Sequence, residues 1–181
     1  MPGSPSVTTM GDEIDLSGLG GPEEDYRLPR LNQDKWDRRY MALAHFWAEQ
    51  CSKDPSTKVG AVLVGADRRD LVLGYNGFPP GLRDTEDRLN HRATKYLYTI
   101  HAERNALDNA KFDTKGATMV ATLFPCEECA KSIIACGVRR VVCEEIPQAE
   151  PWQSKALLAC DMFREAGVEV KLLKEFTSSG S

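Results

Sequence analysis

The residues with the greatest chemical capacity lie in two short segments of the chain. One is His101-Ala102-Glu103, and the other is residues 125–129, with the sequence Pro-Cys-Glu-Glu-Cys. Because residues three positions apart in a helix face the same side, Cys126 and Cys129 would present both sulfur atoms together in a first helical turn. The positive end of the helix dipole favours thiolates at that position. Such a pair is suited to binding zinc.

His101 and Glu103 add what a hydrolytic metal site needs. The imidazole of His101 would be a third protein ligand, so the fourth tetrahedral position would stay open, as in catalytic zinc sites. Zinc lowers the pKa of a bound water to about 7, far below that of bulk water. Glu103 could reach that water without binding the metal and act as general base and acid. We therefore expect His101, Cys126 and Cys129 to bind one zinc ion and Glu103 to be the catalytic residue.

Each motif is much less specific alone than in combination. A Cys-x-x-Cys pair can also be redox-active or half of a structural zinc site, and His101 could be a histidine of the core. Those interpretations leave Glu103 and Pro125 without a function. The two motifs lie about 25 residues apart, each at the start of a predicted helix and with a predicted strand between them, which favours the catalytic site.

The composition of the chain bears on its partners. The 181 residues carry a formal net charge of −4 and only 8% of them are aromatic, whereas proteins that bind long nucleic acids usually present a basic surface with aromatic platforms. We therefore expect a small-molecule substrate and no nucleic-acid partner. No apolar run is long enough to span a membrane and residues 1–30 have no signal-peptide pattern, so we expect a cytoplasmic protein without a membrane partner.

The ends of the chain differ in composition from its middle. Residues 1–30 are rich in Gly, Ser, Pro and acidic residues, and residues 175–181 end in Ser-Ser-Gly-Ser. Both are expected to be disordered or loosely ordered tails around one domain over residues 31–174.

Hydrophobic periodicity predicts four helices and five strands in the order α-β-β-α-β-α-β-α-β. Asp34 is the expected N-cap of the first helix, and Gly137 and Gly167 are placed to end the third and fourth. The predicted helices are residues 35–50, 101–110, 126–136 and 155–166, and the predicted strands are residues 59–64, 71–75, 117–123, 138–143 and 168–173.

These elements predict an α/β fold. The short turn between the first two strands favours an antiparallel hairpin, and the helices between the last three strands favour parallel crossovers. We expect a three-layer α/β/α sandwich around a five-stranded mixed sheet whose last strands are parallel. Residues 76–100 are predicted to form a loop with at most one helical turn. The four cysteines outside the motif are expected to be small buried residues: Cys51, Cys136, Cys143 and Cys160.

The combination of His-x-Glu with Pro-Cys-x-x-Cys resembles the cytidine and deoxycytidylate deaminase superfamily. The resemblance extends over residues 35–173 and implies the cytidine deaminase-like fold and hydrolytic deamination of a cytosine ring. Four further segments carry it: residues 52–55 (Ser-Lys-Asp-Pro), 58–61 (Lys-Val-Gly-Ala), 74–79 (Gly-Tyr-Asn-Gly-Phe-Pro) and 94–96 (Thr-Lys-Tyr).

The resemblance also implies roles for single residues. Asn76 would hydrogen-bond the sugar or base edge of the nucleotide, the backbone of Ala102 would recognise the pyrimidine edge, and Lys58 would lie near the phosphate. The alternative for Lys58 is an exposed lysine at a strand edge. Gly74, Tyr75 and Gly77 belong to a stretch that can also bind a regulatory deoxynucleoside triphosphate, with which Mg²⁺ would enter; the alternative at Gly77 is a plain turn.

Three features depart from the family pattern. Arg104 follows the expected catalytic glutamate, where the family usually has a small apolar residue, and is either a solvated helix residue or an additional phosphate ligand. Residues 144–147 (Glu-Glu-Ile-Pro) replace an aromatic residue near the phosphate, with Trp152 a little later. Residues 76–100 contain no cysteine and only His91, so we expect a single zinc ion per chain.

The expected reaction is the conversion of dCMP and water to dUMP and ammonia in pyrimidine deoxynucleotide biosynthesis. A 5-substituted dCMP or another cytosine nucleotide or nucleoside stays open as the substrate. The acidic charge disfavours a tRNA or single-stranded DNA editing enzyme, and a non-catalytic nucleotide-binding module would have no use for Glu103. Because family members are homo-oligomers, often hexamers and sometimes dimers, we expect an allosteric homo-oligomer.

Overall fold

The structure, a computed structural model, describes residues 32–174. The tails expected at residues 1–30 and 175–181 lie outside the described residues. Within residues 32–174, no helix is both long enough and apolar enough to cross a membrane. The helices are α1 Gln33–Cys51, α2 Glu86–Asn90, α3 Arg92–Tyr98, α4 Ala102–Asn109, α5 Glu127–Ala135 and α6 Trp152–Glu165, and the strands are β1 Gly60–Val64, β2 Leu71–Tyr75, β3 Thr118–Ala121, β4 Arg140–Cys143 and β5 Glu169–Leu172.

The five strands form one mixed sheet in the order β2-β1-β3-β4-β5. β1 and β2 pair as an antiparallel hairpin with Gly60 opposite Tyr75, and β1 is also antiparallel to β3. β3, β4 and β5 are parallel and are joined by α5 and α6. The hairpin and the parallel crossovers confirm the topology that the sequence predicts.

The two faces of the sheet are covered by different helices. Val62 and Val64 of β1 pack with Met41 and Ala44 of α1 in one buried cluster. Alternate residues of the same strand, such as Leu63, belong to a larger cluster that includes residues of α4, α5 and α6. This alternation is the period of two that a strand imposes on its side chains. The three-layer α/β/α sandwich is therefore confirmed.

The first helix begins earlier than predicted. Asn32 is its N-cap, because Oδ1 of Asn32 accepts a hydrogen bond from the backbone N–H of Lys35 at 3.0 Å. Asp34 instead lies in the first turn, where a carboxylate interacts favourably with the helix dipole. The prediction of Asp34 was wrong because both residue types favour N-caps.

Residues 76–100 contain two short helices, so the prediction of at most one helical turn was wrong. His91 separates them and caps α3, with its Nδ1 accepting a hydrogen bond from the N–H of Thr94 at 3.3 Å. α2 buries none of its residues and α3 buries only Lys95. Neither helix therefore has the apolar stripe from which a helix is recognised in a sequence.

Only one of the four cysteines expected to be buried is so. Cys143 is fully buried in β4, whereas Cys51, Cys136 and Cys160 are half-buried. Cys51 is the last residue of α1 and Cys136 is the C-cap of α5, so both lie at the end of a helix.

Candidate active site

The first turns of α4 and α5 meet at one edge of the sheet. His101 is the N-cap residue of α4 and Cys126 is the N-cap residue of α5. β3 leads into the loop before Cys126, while a β-bridge between Gly77 and Ile100 ties the segment before His101 to the end of β2. The carboxyl ends of parallel strands are where open α/β sheets bind their ligands.

Gly74 lets α4 lie close against β2. A Cβ atom at Gly74 would lie 2.2 Å from the carbonyl oxygen of Ala102 and 2.7 Å from the backbone nitrogen of Ala106. Both distances are far below van der Waals contact, so a side chain there would push α4 away. Gly74 thus positions the helix turn that carries His101 and Glu103.

The three predicted ligands come together with the geometry of a zinc site. Nδ1 of His101 lies 3.4 Å from the Sγ atoms of both Cys126 and Cys129. Zn–S bonds of about 2.3 Å and Zn–N bonds of about 2.0–2.1 Å in a tetrahedron separate nitrogen from sulfur by about 3.6 Å. These three residues form the one group of potential metal ligands found among the described residues, with all ligand atoms within 4.8 Å of one another. The donor set therefore fits zinc.

The pKa values of the two thiols also favour a bound cation. Hydrogen bonds from Cys129 and His101 lower the pKa of Cys126 to about 4, against the opposing effect of burial. The pKa of Cys129 is raised, first because its thiol is hydrogen-bonded to Cys126 and then because burial near Glu103 disfavours another anion. Ionisation of Cys126 thus disfavours ionisation of Cys129, and a metal ion bound between them would favour the thiolate form of both.

Glu103 lies beside this ligand set in the first turn of α4. It is 4% exposed. Burial raises the pKa of its carboxyl, and the neighbouring Cys126 acts in the same direction. A carboxyl whose pKa is shifted towards neutrality can accept a proton and give it back at physiological pH.

A cavity of about 210 Å³ opens above these groups, and His101, Glu103 and Cys126 are among the residues that line it. We call it the first cavity. Its volume of about 210 Å³ is a little below the usual range for small-molecule sites, about 300–1,000 Å³. The ligand set and Glu103 therefore border a space that can admit a substrate.

The residues that line the first cavity include a polar group and a mainly apolar group, which we call its two walls. The polar wall comprises Asp54, Ser56, Thr57 and Lys95. The apolar wall comprises Leu123, Phe124, Trp152 and Tyr96, and the rings of Tyr96 and Trp152 lie 6.4 Å apart. This division suits a ligand that has a flat ring at one end and a polar group at the other.

Asn76 lines the first cavity but is already held by the protein. Its Oδ1 accepts hydrogen bonds from the hydroxyl of Ser52 at 2.7 Å and the N–H of Val59 at 2.8 Å. Its Nδ2 donates to the carbonyl of Thr57 at 2.9 Å. Among the contacts of the described residues, one amide hydrogen of Asn76 is left for a ligand.

Ala102 is the other predicted substrate-binding residue that lines the first cavity, and it is fully buried. Lys58 and Arg104 do not line it. Nζ of Lys58 pairs with Glu49 at 2.9 Å, and Nε of Arg104 pairs with Asp108 at 2.7 Å. The structure therefore places Lys58 in an exposed ion pair and Arg104 in a solvated helix pair, and the phosphate contacts expected of them stay predictions.

Tyr75 and Gly77 line a second cavity of about 260 Å³. Its wall also includes Phe78 and Lys53, and Lys53 forms an ion pair with Asp84 at 2.6 Å. Gly74, the third residue of the predicted regulatory stretch, lies beneath α4 and lines neither cavity.

Sequence reasoning gave no role to Lys95, Asp54 or Trp152, although all three line the first cavity. Lys95 lies in a helix without an apolar stripe, and Trp152 begins a helix 26 residues after Cys126. No local spacing links them to His101. The available signals were the positions of Asp54 and Lys95 in segments that carry the family resemblance, and the position of Trp152 shortly after residues 144–147.

Comparisons with known proteins agree with this geometry. The chain matches the family model of the cytidine and deoxycytidylate deaminase zinc-binding region over residues 34–145. It is 42% identical over 141 residues to an uncharacterized deaminase of Aliivibrio fischeri, covering 77% of this chain and 94% of that protein. It is also 42% identical over 117 residues to the deoxycytidylate deaminase of Homo sapiens, covering 60% of this chain and 64% of that protein.

A solved structure shows the same fold. The dCMP deaminase of the cyanophage S-TIM5, crystallised in complex with dCMP and dUMP, aligns with a TM-score of 0.61 at 25% sequence identity over 76% of this chain and 96% of that chain. The family model covers more than half of the chain and includes both motifs. The chain therefore belongs to the cytidine and deoxycytidylate deaminase family of zinc-dependent enzymes.

Proposed function

We propose that this protein hydrolyses dCMP to dUMP and ammonia, with one zinc ion held by His101, Cys126 and Cys129. The observation that carries the proposal is the meeting of three metal-ligand atoms with the buried carboxyl of Glu103 at one cavity. The substrate is supported by the names of the relatives, since a human protein of 42% identity is a deoxycytidylate deaminase and the cyanophage enzyme binds dCMP and dUMP.

The residues of the first cavity divide the chemistry between them. Zinc bound by His101, Cys126 and Cys129 would supply a water that ionises near pH 7. Glu103 would take one proton of the attacking water and give it to the ring nitrogen while the oxygen bonds to the ring carbon. It would then pass the remaining hydroxyl proton to the amino group, whose bond to the ring carbon breaks, so one water is consumed for each ammonia released.

The two walls hold the rest of the substrate. The cytosine ring lies against Phe124 and Trp152, with the backbone of Ala102 at the pyrimidine edge. The sugar lies towards Asn76, whose remaining amide hydrogen can donate to it. The phosphate points towards the polar wall.

A direct assay of zinc-loaded protein tests the proposal. Loss of cytosine absorbance is followed with dCMP, a 5-substituted dCMP, dCTP and deoxycytidine, and dCMP is expected to give the highest kcat/KM. A higher value for the 5-substituted nucleotide would identify the alternative substrate. Absence of turnover with all four would contradict the proposal.

The second cavity is proposed to bind a regulatory deoxynucleoside triphosphate together with Mg²⁺. Tyr75 and Gly77 line it, and the ammonium of Lys53 supplies positive charge. Adding dCTP or dTTP with Mg²⁺ is expected to change the KM for dCMP, and Lys53→Met is expected to weaken that response. Equal rates with and without either triphosphate would contradict this assignment.

The proposal also includes the cellular location, the oligomeric state and the domain boundaries of the enzyme. It is a cytoplasmic homo-oligomer, a hexamer or a dimer, whose catalytic domain is residues 31–174. Light scattering checks the oligomer, microscopy of the tagged protein checks its location, and limited proteolysis checks the domain boundaries. A monomer in light scattering would contradict the proposed homo-oligomer.

A further inference from the structure

We propose that Lys95 binds the phosphate of the substrate and so decides the preference for a nucleotide over a nucleoside. The inference rests on the proposed function and deepens it, since it names the residue that reads the anionic end of the substrate. Lys95 replaces Lys58 and Arg104 in this role.

Lys95 is held at the first cavity by a fixed set of contacts. Its side chain is only 7% exposed, and its Nζ donates to Oδ1 of Asp54 at 2.8 Å and to the hydroxyl of Ser56 at 2.7 Å. An ammonium group has three N–H donors. Two are used by these contacts among the described residues, which leaves the third for a ligand. Lys95 lines both the first and the second cavity, so the experiments below are designed to show which ligand it meets.

Charge singles out the same residue. Of the described residues that line the first cavity, Lys95 is the only lysine or arginine. The ammonium is desolvated, and a charge out of water interacts more strongly with a phosphate than a surface charge does. Lys95 is therefore the one lysine or arginine of the described lining that a phosphate could meet, and it would share that ammonium with Asp54.

Asp54 holds the ammonium in place through an oxygen that also accepts hydrogen bonds from its own loop. Its Oδ1 already accepts from the N–H of Ser56 at 2.8 Å, the hydroxyl of Ser56 at 2.8 Å and the N–H of Thr57 at 3.0 Å, in addition to Lys95. These donors also fix the backbone of residues 54–57, so the polar wall is preorganised before the substrate arrives.

The test compares a nucleotide with its nucleoside on zinc-loaded enzyme. Lys95→Met keeps the length of the side chain but removes its charge. It is expected to lower kcat/KM for dCMP by about 10–100-fold, as for the loss of a hydrogen bond to a charged group, while kcat/KM for deoxycytidine changes by less than about threefold. Binding of dUMP and deoxyuridine, measured by calorimetry, should show the same contrast.

Two further variants serve as controls. Lys111→Met removes the same charge at an exposed position away from both cavities and should change neither substrate's kinetics. Lys58→Met tests the rival lysine, and the inference is overturned if this variant, and not Lys95→Met, loses the preference for dCMP.

An equal loss for dCMP and deoxycytidine in Lys95→Met would overturn the inference while leaving the proposed function intact. Wild-type protein that turns over neither compound would instead reject the proposed function. Because Lys95→Met leaves Asp54 buried without its partner, the doubly neutral variant Asp54→Asn/Lys95→Met repeats the comparison.

A crystal structure of the wild-type protein with dUMP gives the answer without any variant. Nζ of Lys95 within about 3.2 Å of a phosphate oxygen supports the inference. A phosphate bound out of reach of Lys95 overturns it.

Discussion

Glu103 and Asp54 are both buried carboxyl groups at the first cavity, yet their surroundings give them opposite properties. Burial raises the pKa of Glu103, which brings the pKa of this carboxyl closer to neutral pH and favours proton transfer. Burial would also raise the pKa of Asp54, but hydrogen bonds from Lys95, Ser56 and Thr57 outweigh it and hold that pKa below its ordinary value. We assign proton transfer to Glu103 and positioning to Asp54 on this difference.

The role of Glu103 predicts a separation of metal binding from activity. Glu103→Gln removes the proton-transfer group but keeps its shape, so the variant should retain zinc and lose about 10²–10⁴-fold in kcat. Zinc content and turnover are measured on the same sample, with Glu165→Gln, a change at an exposed residue of α6, as the control. Full activity in Glu103→Gln would refute the role.

The lowered pKa of Asp54 predicts a pH dependence of stability. A carboxyl whose pKa is depressed in the folded protein stabilises it fully above the unfolded value, about 3.9, and loses that contribution as pH falls through the folded value. Asp54→Asn should therefore be less stable than wild type at pH 7, and the difference should shrink as pH falls below about 4. Urea denaturation at several pH values measures this. A constant difference across the range would show that the charge of Asp54 is irrelevant.

At the scale of elements, the fit between α4 and β2 holds His101 and Glu103, the proposed zinc ligand and proposed catalytic residue, in place. Gly74 permits this fit because a Cβ there would clash with the backbone of Ala102. The sequence does not reveal this close approach, because the resemblance assigns Gly74, with Tyr75 and Gly77, to nucleotide binding and gives it no contact with α4.

Gly74→Ala should therefore damage the active site from a distance. We expect kcat/KM to fall by about 100-fold and zinc to be held less tightly, because the turn that carries His101 and Glu103 must shift. Gly65→Ala is the matched control, since the nearest atom to its Cβ would be 3.3 Å away. Unchanged kinetics in Gly74→Ala would show that α4 can move without cost.

The elements also show what could be predicted from the sequence. The strands and long helices were recognisable because their apolar residues recur with the period of a strand or a helix, and the zinc ligands were recognisable because Cys126 and Cys129 lie one turn apart. α2 and α3 were missed because they bury almost nothing. Lys95 and Trp152 reach the cavity only through tertiary packing, which no local spacing records.

At the scale of the whole molecule, a buried ion pair joins α1 to β4 of the sheet. Nη1 and Nη2 of Arg140 in β4 each donate at 2.8 Å to the carboxylate of Asp37 in α1, which is fully buried. The bidentate geometry fixes α1 over the sheet, on the face opposite α4 and its catalytic turn.

Asp37→Asn should thus lower stability without changing the chemistry. Breaking one partner of a buried pair costs about 3 kcal/mol in the free energy of unfolding, and turnover at 25 °C should stay close to wild type. Denaturant unfolding and the deamination assay measure the two effects. Asp161→Asn, in an exposed pair with Arg164, should cost less than about 0.5 kcal/mol. Comparable losses in both variants would show that the buried pair has no special role.

The account depends most on a single zinc ion with three protein ligands. X-ray absorption at the zinc edge of untagged protein tests it directly. The expected result is one zinc per chain with two sulfur neighbours at about 2.3 Å, one imidazole nitrogen at about 2.0 Å and one further light atom. Protein that binds no zinc, or zinc surrounded by four sulfurs, would contradict the account.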